Sequence, residues 1–342
     1  MSLDIEQVEA LLQRMPDLRI GVFGDLFLDR YLDLDANLTE PSLETGLDAY
    51  QVVQVRGFPG AAGTVINNLA ALGVGRIVPV AVIGDDGEGY ELQQALKKRK
   101  AVDSEGIVVD PRRRTPTYTK PMLMEPGKTP RELNRLDIHN RQPLSGALES
   151  RLEEILTRLF PEIDGWVVLD QVSQENCGVV TSHLREVLSR LACARSDIPV
   201  LADSRERIHL FRSMAIKPNQ RECLRATGME PTQGGATRLA QNCGSKVFCT
   251  LGESGILVAD HPGRILGEAP AYPVKGPIDP VGAGDSTSAG ILTALAGGFD
   301  PLIAASFGNL IASITVQQLG TTGTANPEQV RERAKQVLGK NN

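Results

Sequence analysis

Apolar positions along the chain fall into two alternating rhythms. Ile5, Val8, Leu11 and Leu12 recur at helical spacing and predict an amphipathic helix that ends before Pro16. Arg19 to Phe23 then reads as a buried strand running into Gly24-Asp25. The alternation continues with a helix over 64–72, a strand over 78–83, a helix over 90–98 and a strand over 107–109. In the second half, strands are expected over 166–169, 200–202, 246–250 and 256–258. Helices are expected over 148–159, 179–191, 220–227, 237–242 and 286–295, with a charged last helix over 327–338. Strand–helix alternation of this kind predicts an α/β fold: a doubly wound, mostly parallel sheet with helices on both faces.

Two stretches break the rhythm. The segment from Tyr31 to Arg56 has no helical face, and its part from Ala49 to Val55 is β-prone. A second short strand runs from Thr115 to Met124 and meets the turn signal Pro126-Gly127. Insertions at about 31–56 and 111–127 suggest a small β lid over the strand ends, where such sheets bind ligands. The alternative is a pair of ordinary surface hairpins. With no internal repeat and no low-complexity linker, residues 1–342 are expected to form a single domain.

Composition narrows the function classes. Hydrophobic content of 41% and charged content of 23% fit a globular protein, and no apolar run is long enough to cross a bilayer. A net charge of −6 argues against a nucleic-acid partner, which needs a basic surface. The polar, acidic N-terminal segment does not read as a secretory signal, so a cytoplasmic protein is expected. Cys177, Cys193, Cys223, Cys243 and Cys249 are odd in number and form no C-x-x-C pair, which suggests reduced buried thiols. His139, His183, His209 and His261 lack metal-ligand spacing, so a zinc site is not expected.

The densest run of small residues, Asp279-Pro-Val-Gly-Ala-Gly-Asp285-Ser-Thr-Ser-Ala-Gly290, lies where an extended segment gives way to a helical pattern. Gly282, Ala283 and Gly284 carry little or no side chain, so their N–H groups can approach an anion at the positive end of the helix that follows. Asp285 would then stand beside that anion, placed to take a proton from a hydroxyl. Its alternative role is an N-cap after a glycine turn. The chain has no Gly-x-x-x-x-Gly-Lys-Ser/Thr and no Gly-x-Gly-x-x-Gly after the first strand, so a nucleotide would bind by another device.

Four more runs stand in order before it: Gly24-Asp25-Leu-Phe-Leu-Asp29, Pro59-Gly60-Ala-Ala-Gly63-Thr64, Lys217-Pro-Asn219-Gln-Arg-Glu222 and Thr250-Leu-Gly252-Glu-Ser-Gly255. From about Arg19 to Gln329 this series resembles the PfkB, or ribokinase-like, family of sugar kinases. The resemblance implies an enzyme that uses ATP and Mg2+ to phosphorylate a small-molecule sugar or sugar phosphate. In it Asp285 would be the catalytic base and Gly282, Ala283 and Gly284 the anion hole. Asn219 and Glu222 match an Asn-x-x-Glu motif that holds magnesium and the nucleotide phosphates through water, with Glu222 on the metal. Thr250, Gly252 and Gly255 would flank the nucleotide, and Asn309 would lie near the adenine. Asp25 and Gly60 fall where the family contacts sugar hydroxyls, and Asp29 adds a second carboxylate able to accept from a polyol. Asp279 and the backbone near Val281 resemble a monovalent-cation site, which would take K+. The residues also have plain structural readings: Asp25 as a turn cap, and Asn219 with Glu222 as a capping box.

Within the family, Gly24-Asp-Leu-Phe-Leu-Asp-Arg-Tyr31, Leu133-Asn-Arg-Leu-Asp137, Val168-Leu-Asp170 and Gln318-Leu-Gly-Thr-Thr-Gly-Thr324 resemble the kinase domain that phosphorylates D-glycero-D-manno-heptose 7-phosphate at C1. An acceptor that already carries a phosphate needs cations, and Lys120 and Arg135 are the candidates. Two departures bear on the acceptor. The family turn Pro-Gly-Gly-Ala-Ala-Asn is here Pro59-Gly-Ala-Ala-Gly-Thr64, so a hydroxyl replaces an amide at Thr64. After Asp170, Gln171 and Gln174-Glu175 stand where the heptose kinases continue with a Tyr and a Lys. The acceptor therefore stays open between sugar and sugar phosphate. A catalytically silent sugar-binding or regulatory protein is the competing reading, and a third, an interaction protein whose lid serves as a homodimer interface, is compatible with the kinase.

Overall fold

The computed structural model describes residues 3–320 and 322–339. Its central strands Arg19–Gly24, Gly165–Asp170 and Val200–Ser204 are buried almost throughout, as strands covered on both faces must be. They belong to a nine-stranded sheet in the order 264–269, 256–260, 247–250, 215–216, 200–204, 165–170, 19–24, 76–84, 107–110. Seven strands run parallel; Ile256–Asp260 and Arg264–Ala269 close one edge antiparallel. One core packs helices Ile5–Arg14, Ala62–Ala71, Gly87–Lys97, Ala283–Ala296, Pro301–Thr315 and Pro327–Leu338 on one face. The other core packs Gly146–Leu159, Ser182–Ala194, Gln220–Thr227 and Gly235–Cys243. The doubly wound α/β reading holds. The chain winds outward from strand 19–24 to one edge and then resumes at 165–170 on its other side. The strand order therefore reverses there, and a crevice opens at the carboxyl ends.

Helix Pro301–Thr315 was not marked by the periodicity, because it is apolar all round and almost wholly buried. It packs so closely on Ala283–Ala296 that a Cβ on Gly290 would lie 2.9 Å from the Gly308 backbone. The two-residue strand Ala215–Ile216 is too short to leave a pattern, and strand Arg264–Ala269 has an exposed, mixed face.

The lid is a separate sheet and is wider than expected. Leu26–Asp35 pairs in parallel with Thr117–Met124 and antiparallel with Val52–Ala61. Leu136–Ile138 and Arg131–Glu132 add to Thr117–Met124 on its far side. The sheet thus begins at Leu26 rather than near 31, and its second part runs past the Pro126-Gly127 turn to Ile138. Of the five cysteines, all free, Cys193 is exposed and the rest are buried, which corrects the expectation that every thiol is covered. Among the described residues no helix is long and apolar enough to cross a membrane.

Candidate active site

Helix Ala283–Ala296 starts from Gly282, whose φ of +80° places it in the left-handed region that suits glycine, with no side-chain cap on the first turn. The N–H of Ala283 is used in the turn, donating to the Pro280 carbonyl at 3.1 Å. Among the described residues the amides of Gly282, Gly284 and Asp285 have no acceptor. An anion cradle here would use these three amides, with Ala283 contributing its small size rather than a donor. The helix hydroxyls turn inward: Ser286 and Thr287 donate to the Ala283 carbonyl at 3.0 and 2.7 Å, and Ser288 to that of Gly284 at 3.0 Å. They leave the amides of the first turn facing outward.

Behind the cradle lies a set of buried charges. Lys217 Nζ pairs with Asp203 at 2.9 Å, both nearly inaccessible, and Nζ lies 3.6 Å from where a Cβ on Gly284 would stand. Burial alone would lower the Lys217 pKa, but Asp203, with Glu222 and Asp285, outweighs it and holds the ammonium above its ordinary value. Removing one partner of such a pair costs about 3–5 kcal/mol, because the other charge is left buried. Burial, and then the Asp203 carboxylate, push Asp285 up to about 7, against the opposing pull of Lys217 and Arg205. That is the range in which a carboxylate can accept a proton near neutral pH.

Asn219 and Glu222 form a capping box on helix Gln220–Thr227: Glu222 N–H donates to Asn219 Oδ1 at 2.9 Å, and Asn219 N–H to Glu222 Oε2 at 2.8 Å. The structural reading is met, and the second Glu222 oxygen is left over for other work. Burial, followed by repulsion from Asp203, raises the Glu222 pKa. Two carboxylates that repel across one lysine suit a divalent cation, and Mg2+ keeps most of its water when held by one or two carboxylates. Among the described residues no cluster of three or more His, Cys, Asp or Glu has ion-holding geometry.

A cavity of about 660 Å³ opens beside the cradle. Thr250, Gly252, Gly255, Tyr272, Ala283, Gly284 and Asn309 line it, so four of the six residues expected at a nucleotide share this cavity with Ala283 and Gly284 of the glycine run. Asn309 donates its amide to the carbonyls of Ala269 and Pro270 at 2.8 and 3.2 Å. It therefore holds the loop that forms the wall. Asp279 likewise closes a loop, accepting the N–H groups of Val281 at 3.0 Å and Gly320 at 3.1 Å.

The acceptor side is formed where the lid meets the sheet. Asp29 stands against Gly60, where a Cβ would come within 2.5 Å of Asp29 Oδ2. Lys120 Nζ lies 3.8 Å from Asp29 Oδ1 and donates to Tyr31 Oη at 3.1 Å. Arg135 forks onto Asp137 at 2.7 and 2.8 Å and stacks over Tyr118. Thr64 is buried, and its methyl group lies 3.5 Å from a Cβ position on Gly282, joining the acceptor turn to the anion hole. Asp25 does not join this group. Its oxygens accept the N–H groups of Gln171, Val172 and Val179 at 3.0, 3.3 and 2.7 Å. Burial pushes it up to about 6, opposed by those amides. It caps the loop after Asp170 and ties it to the first strand, and of the two expected carboxylates Asp29 is the one that stands beside Gly60 and Lys120.

Asp203 and Lys217 were missed as site residues. Lys217 stands in the Lys-Pro-Asn run, where it reads as a solvated lysine before a capped helix. Asp203 ends a short strand and carries no motif of its own.

A sequence model described as pfkB family carbohydrate kinase matches residues 22–329. The bifunctional protein HldE of Trichlorobacter lovleyi is 32% identical over 337 residues, covering 96% of this chain and 65% of that protein. HldE of Gluconobacter oxydans is 28% identical, covering 92% of this chain and 64% of that protein. The chain thus spans slightly less than two thirds of the curated relatives it matches. Among solved structures, Escherichia coli phosphofructokinase-2 in complex with substrates and products superposes with a TM-score of 0.67 at 19% identity, over 94% of this chain and 99% of that one. Arabidopsis thaliana ribokinase complexed with ribose and ATP gives 0.66 at 16%, over 93% and 99%. Both likenesses bear on the fold.

Proposed function

The chain belongs to the pfkB family of carbohydrate kinases and is an ATP-dependent sugar kinase, and we propose that its acceptor is a sugar phosphate of the heptose 7-phosphate class, phosphorylated at its C1 hydroxyl. One observation carries the chemistry. Gly284, whose amide is free, lines a nucleotide-sized cavity, and the next residue, Asp285, has a free amide and a carboxylate raised to about 7. A protein that only bound sugar would have no use for a base next to an anion hole.

In this reading the cavity walls hold the nucleotide, and the cradle amides with Lys217 receive the γ-phosphoryl group. Asp285 takes the proton of the acceptor hydroxyl as the new P–O bond forms. Bound magnesium supplies charge neutralisation of the phosphates, and Glu222, with Asp203 behind it, is the carboxylate that fits it. A monovalent cation would sit at Asp279 and the backbone of Val281. Asp29 and Lys120 orient the acceptor, and Lys120 and Arg135 meet its resident phosphate by leaving Asp29 and Asp137. The similarity to HldE proteins supports the heptose class. The departures at Thr64 and after Asp170 lie on the acceptor side, so the test is run across acceptors.

The lid also supports a homodimer. Strand Val52–Ala61 is an open edge with Val52, Val53, Val55 and Phe58 exposed, the kind of edge that pairs with a second copy. A cytoplasmic location agrees with five unpaired thiols. The test is a phosphoryl-transfer screen with MgATP over free sugars, sugar phosphates and nucleosides, in K+ and in Na+, with mass measured in solution. Turnover of a heptose 7-phosphate above the other acceptors is expected. Turnover of free sugars alone would overturn the substrate, and sugar binding without any turnover would favour the silent protein.

A further inference from the structure

Three arginines gather at the turn after strand Val200–Ser204, and two are fully engaged. Arg207 donates to the Asp170 carboxylate at 2.8 and 3.2 Å and to the Ser173 carbonyl at 2.8 Å. Arg225 pairs with Glu206 at 2.9 Å and donates to the Arg205 carbonyl. Arg205 differs. Its backbone is pinned at both ends, by that bond and by its own N–H donating to the Asp170 carbonyl at 3.2 Å. Among the described residues its guanidinium has no hydrogen-bond or ion-pair partner, and the residue is exposed. It stands two residues after Asp203, whose carboxylate reaches Ser288 Oγ at 3.4 Å, one helical turn beyond Asp285.

We propose that Arg205 is a catalytic residue of the phosphoryl transfer, its guanidinium closing on the oxygens of the transferring group from the side opposite the cradle amides. The proposal rests on the kinase reading. In the step, the bond from γ-phosphorus to the bridging oxygen of the nucleoside diphosphate breaks, the bond to the acceptor oxygen forms, and the hydroxyl proton passes to Asp285. Charge spreads over three equatorial oxygens as this happens. The amides and Lys217 cover one side of that group. The open side suits a planar cation with parallel donors, which a guanidinium carried on a pinned backbone supplies. The other cations of the site are already matched: Lys217 to Asp203, Lys120 to Asp29 and Tyr31, Arg135 to Asp137. The charges acting on Asp285 agree with this placement. Asp203 and, from the lid, Asp29 raise its pKa, while Lys217 and Arg205 lower it.

The test uses Arg205→Ala and Arg205→Lys in the full chain, with two readouts. The first is the affinity for MgADP with and without fluoroaluminate, which mimics the transferring group and needs no acceptor. Arg205→Ala is expected to lose about 10²-fold in the fluoroaluminate complex, the scale of one preorganised donor on developing charge, and little in MgADP alone. The second is turnover: kcat should fall by about 10³-fold with KM for ATP nearly unchanged, recover in part in Arg205→Lys, and show its acid limb moved to higher pH. Equal losses with and without fluoroaluminate, or no loss in either, would overturn the role of Arg205. Wild-type protein that turns over no acceptor counts against the kinase reading instead, and the fluoroaluminate arm still decides the arginine.

Discussion

The glycine run and the turn at Gly60 to Thr64 are neighbours, the Thr64 methyl lying 3.5 Å from a Cβ position on Gly282, and they are built on opposite plans. The cradle is made of backbone: a helix end whose amides are open and whose geometry is fixed by small residues packed tightly beneath it. The acceptor side is made of side chains already satisfied by one another, with Lys120 on Asp29 and Arg135 on Asp137. A backbone site can do one thing, because its donors are fixed by the chain itself. A side-chain site can exchange its partners for those of a ligand, and so can be retuned from acceptor to acceptor. On the proposed reading, reaction and substrate are encoded at different depths of the structure.

The sharpest division between the halves should come from Asp285→Asn. Loss of the base is expected to lower kcat by about 10²–10⁴-fold while nucleotide affinity stays within a few fold, because the cradle amides are untouched. Unchanged turnover would remove Asp285 from the chemistry. The same variant reports through stability. The folded-state pKa of about 7 lies above the usual value of 3.8, so the native protein holds this proton more tightly than the unfolded chain. Its contribution is greatest below the unfolded value and is lost as pH rises toward 7. Asp285→Asn should therefore melt above wild type by a margin that grows from pH 5 to pH 8. A margin independent of pH would refute the raised pKa.

Smaller effects are expected on the acceptor side, and they should leave ATP alone. A Cβ at Gly60 would meet Asp29 Oδ2 at 2.5 Å and Cγ at 2.8 Å, so Gly60→Ala must displace that carboxylate. The acceptor KM should rise by about 10–100-fold with KM for ATP unchanged, since the change removes binding used equally in ground and transition states. Lys120→Gln should act more narrowly. It removes a charge-assisted contact worth about tenfold in affinity, and only for an acceptor that carries a phosphate. Equal losses for neutral and phosphorylated acceptors would mean that Lys120 serves Asp29 alone.

How much of this was legible in the sequence follows the same line. The alternation of strands and helices, the glycine run and the Asn-x-x-Glu spacing are local patterns, and each appears in the fold. Helix Pro301–Thr315 was not legible, because a helix buried on every side has no polar face to mark its period. Nor was the split between Asp25 and Asp29. Both follow Gly24 in one run, and only the return of the chain at 171–179 decides which carboxylate receives three amides and which stays open. Asp203 and Lys217 meet only where the sheet brings them together, and Arg205 has no side-chain partner among the described residues, so no spacing announces the three.

The smallest expected effect concerns Ala61, which stands where the Pro-Gly-Gly pattern has its second glycine. Its φ of 51° with ψ of −116° lies in territory that a Cβ disfavours. Residues so held store about 1–3 kcal/mol. Against relief of that strain in Ala61→Gly stand about 0.4–1 kcal/mol of unfolded-chain entropy and up to about 0.8 kcal/mol of methyl burial against Phe27, Val172 and Cys177. Strain wins narrowly, so the melting midpoint should rise by about one or two degrees. If it falls instead, the methyl contact outweighs the strain, and Ala61 belongs to the packing under the lid rather than to a turn held under tension for the acceptor. If it rises while the acceptor KM worsens, the strain is part of how this turn is aimed, and the side-chain half of the site depends on a backbone constraint of its own.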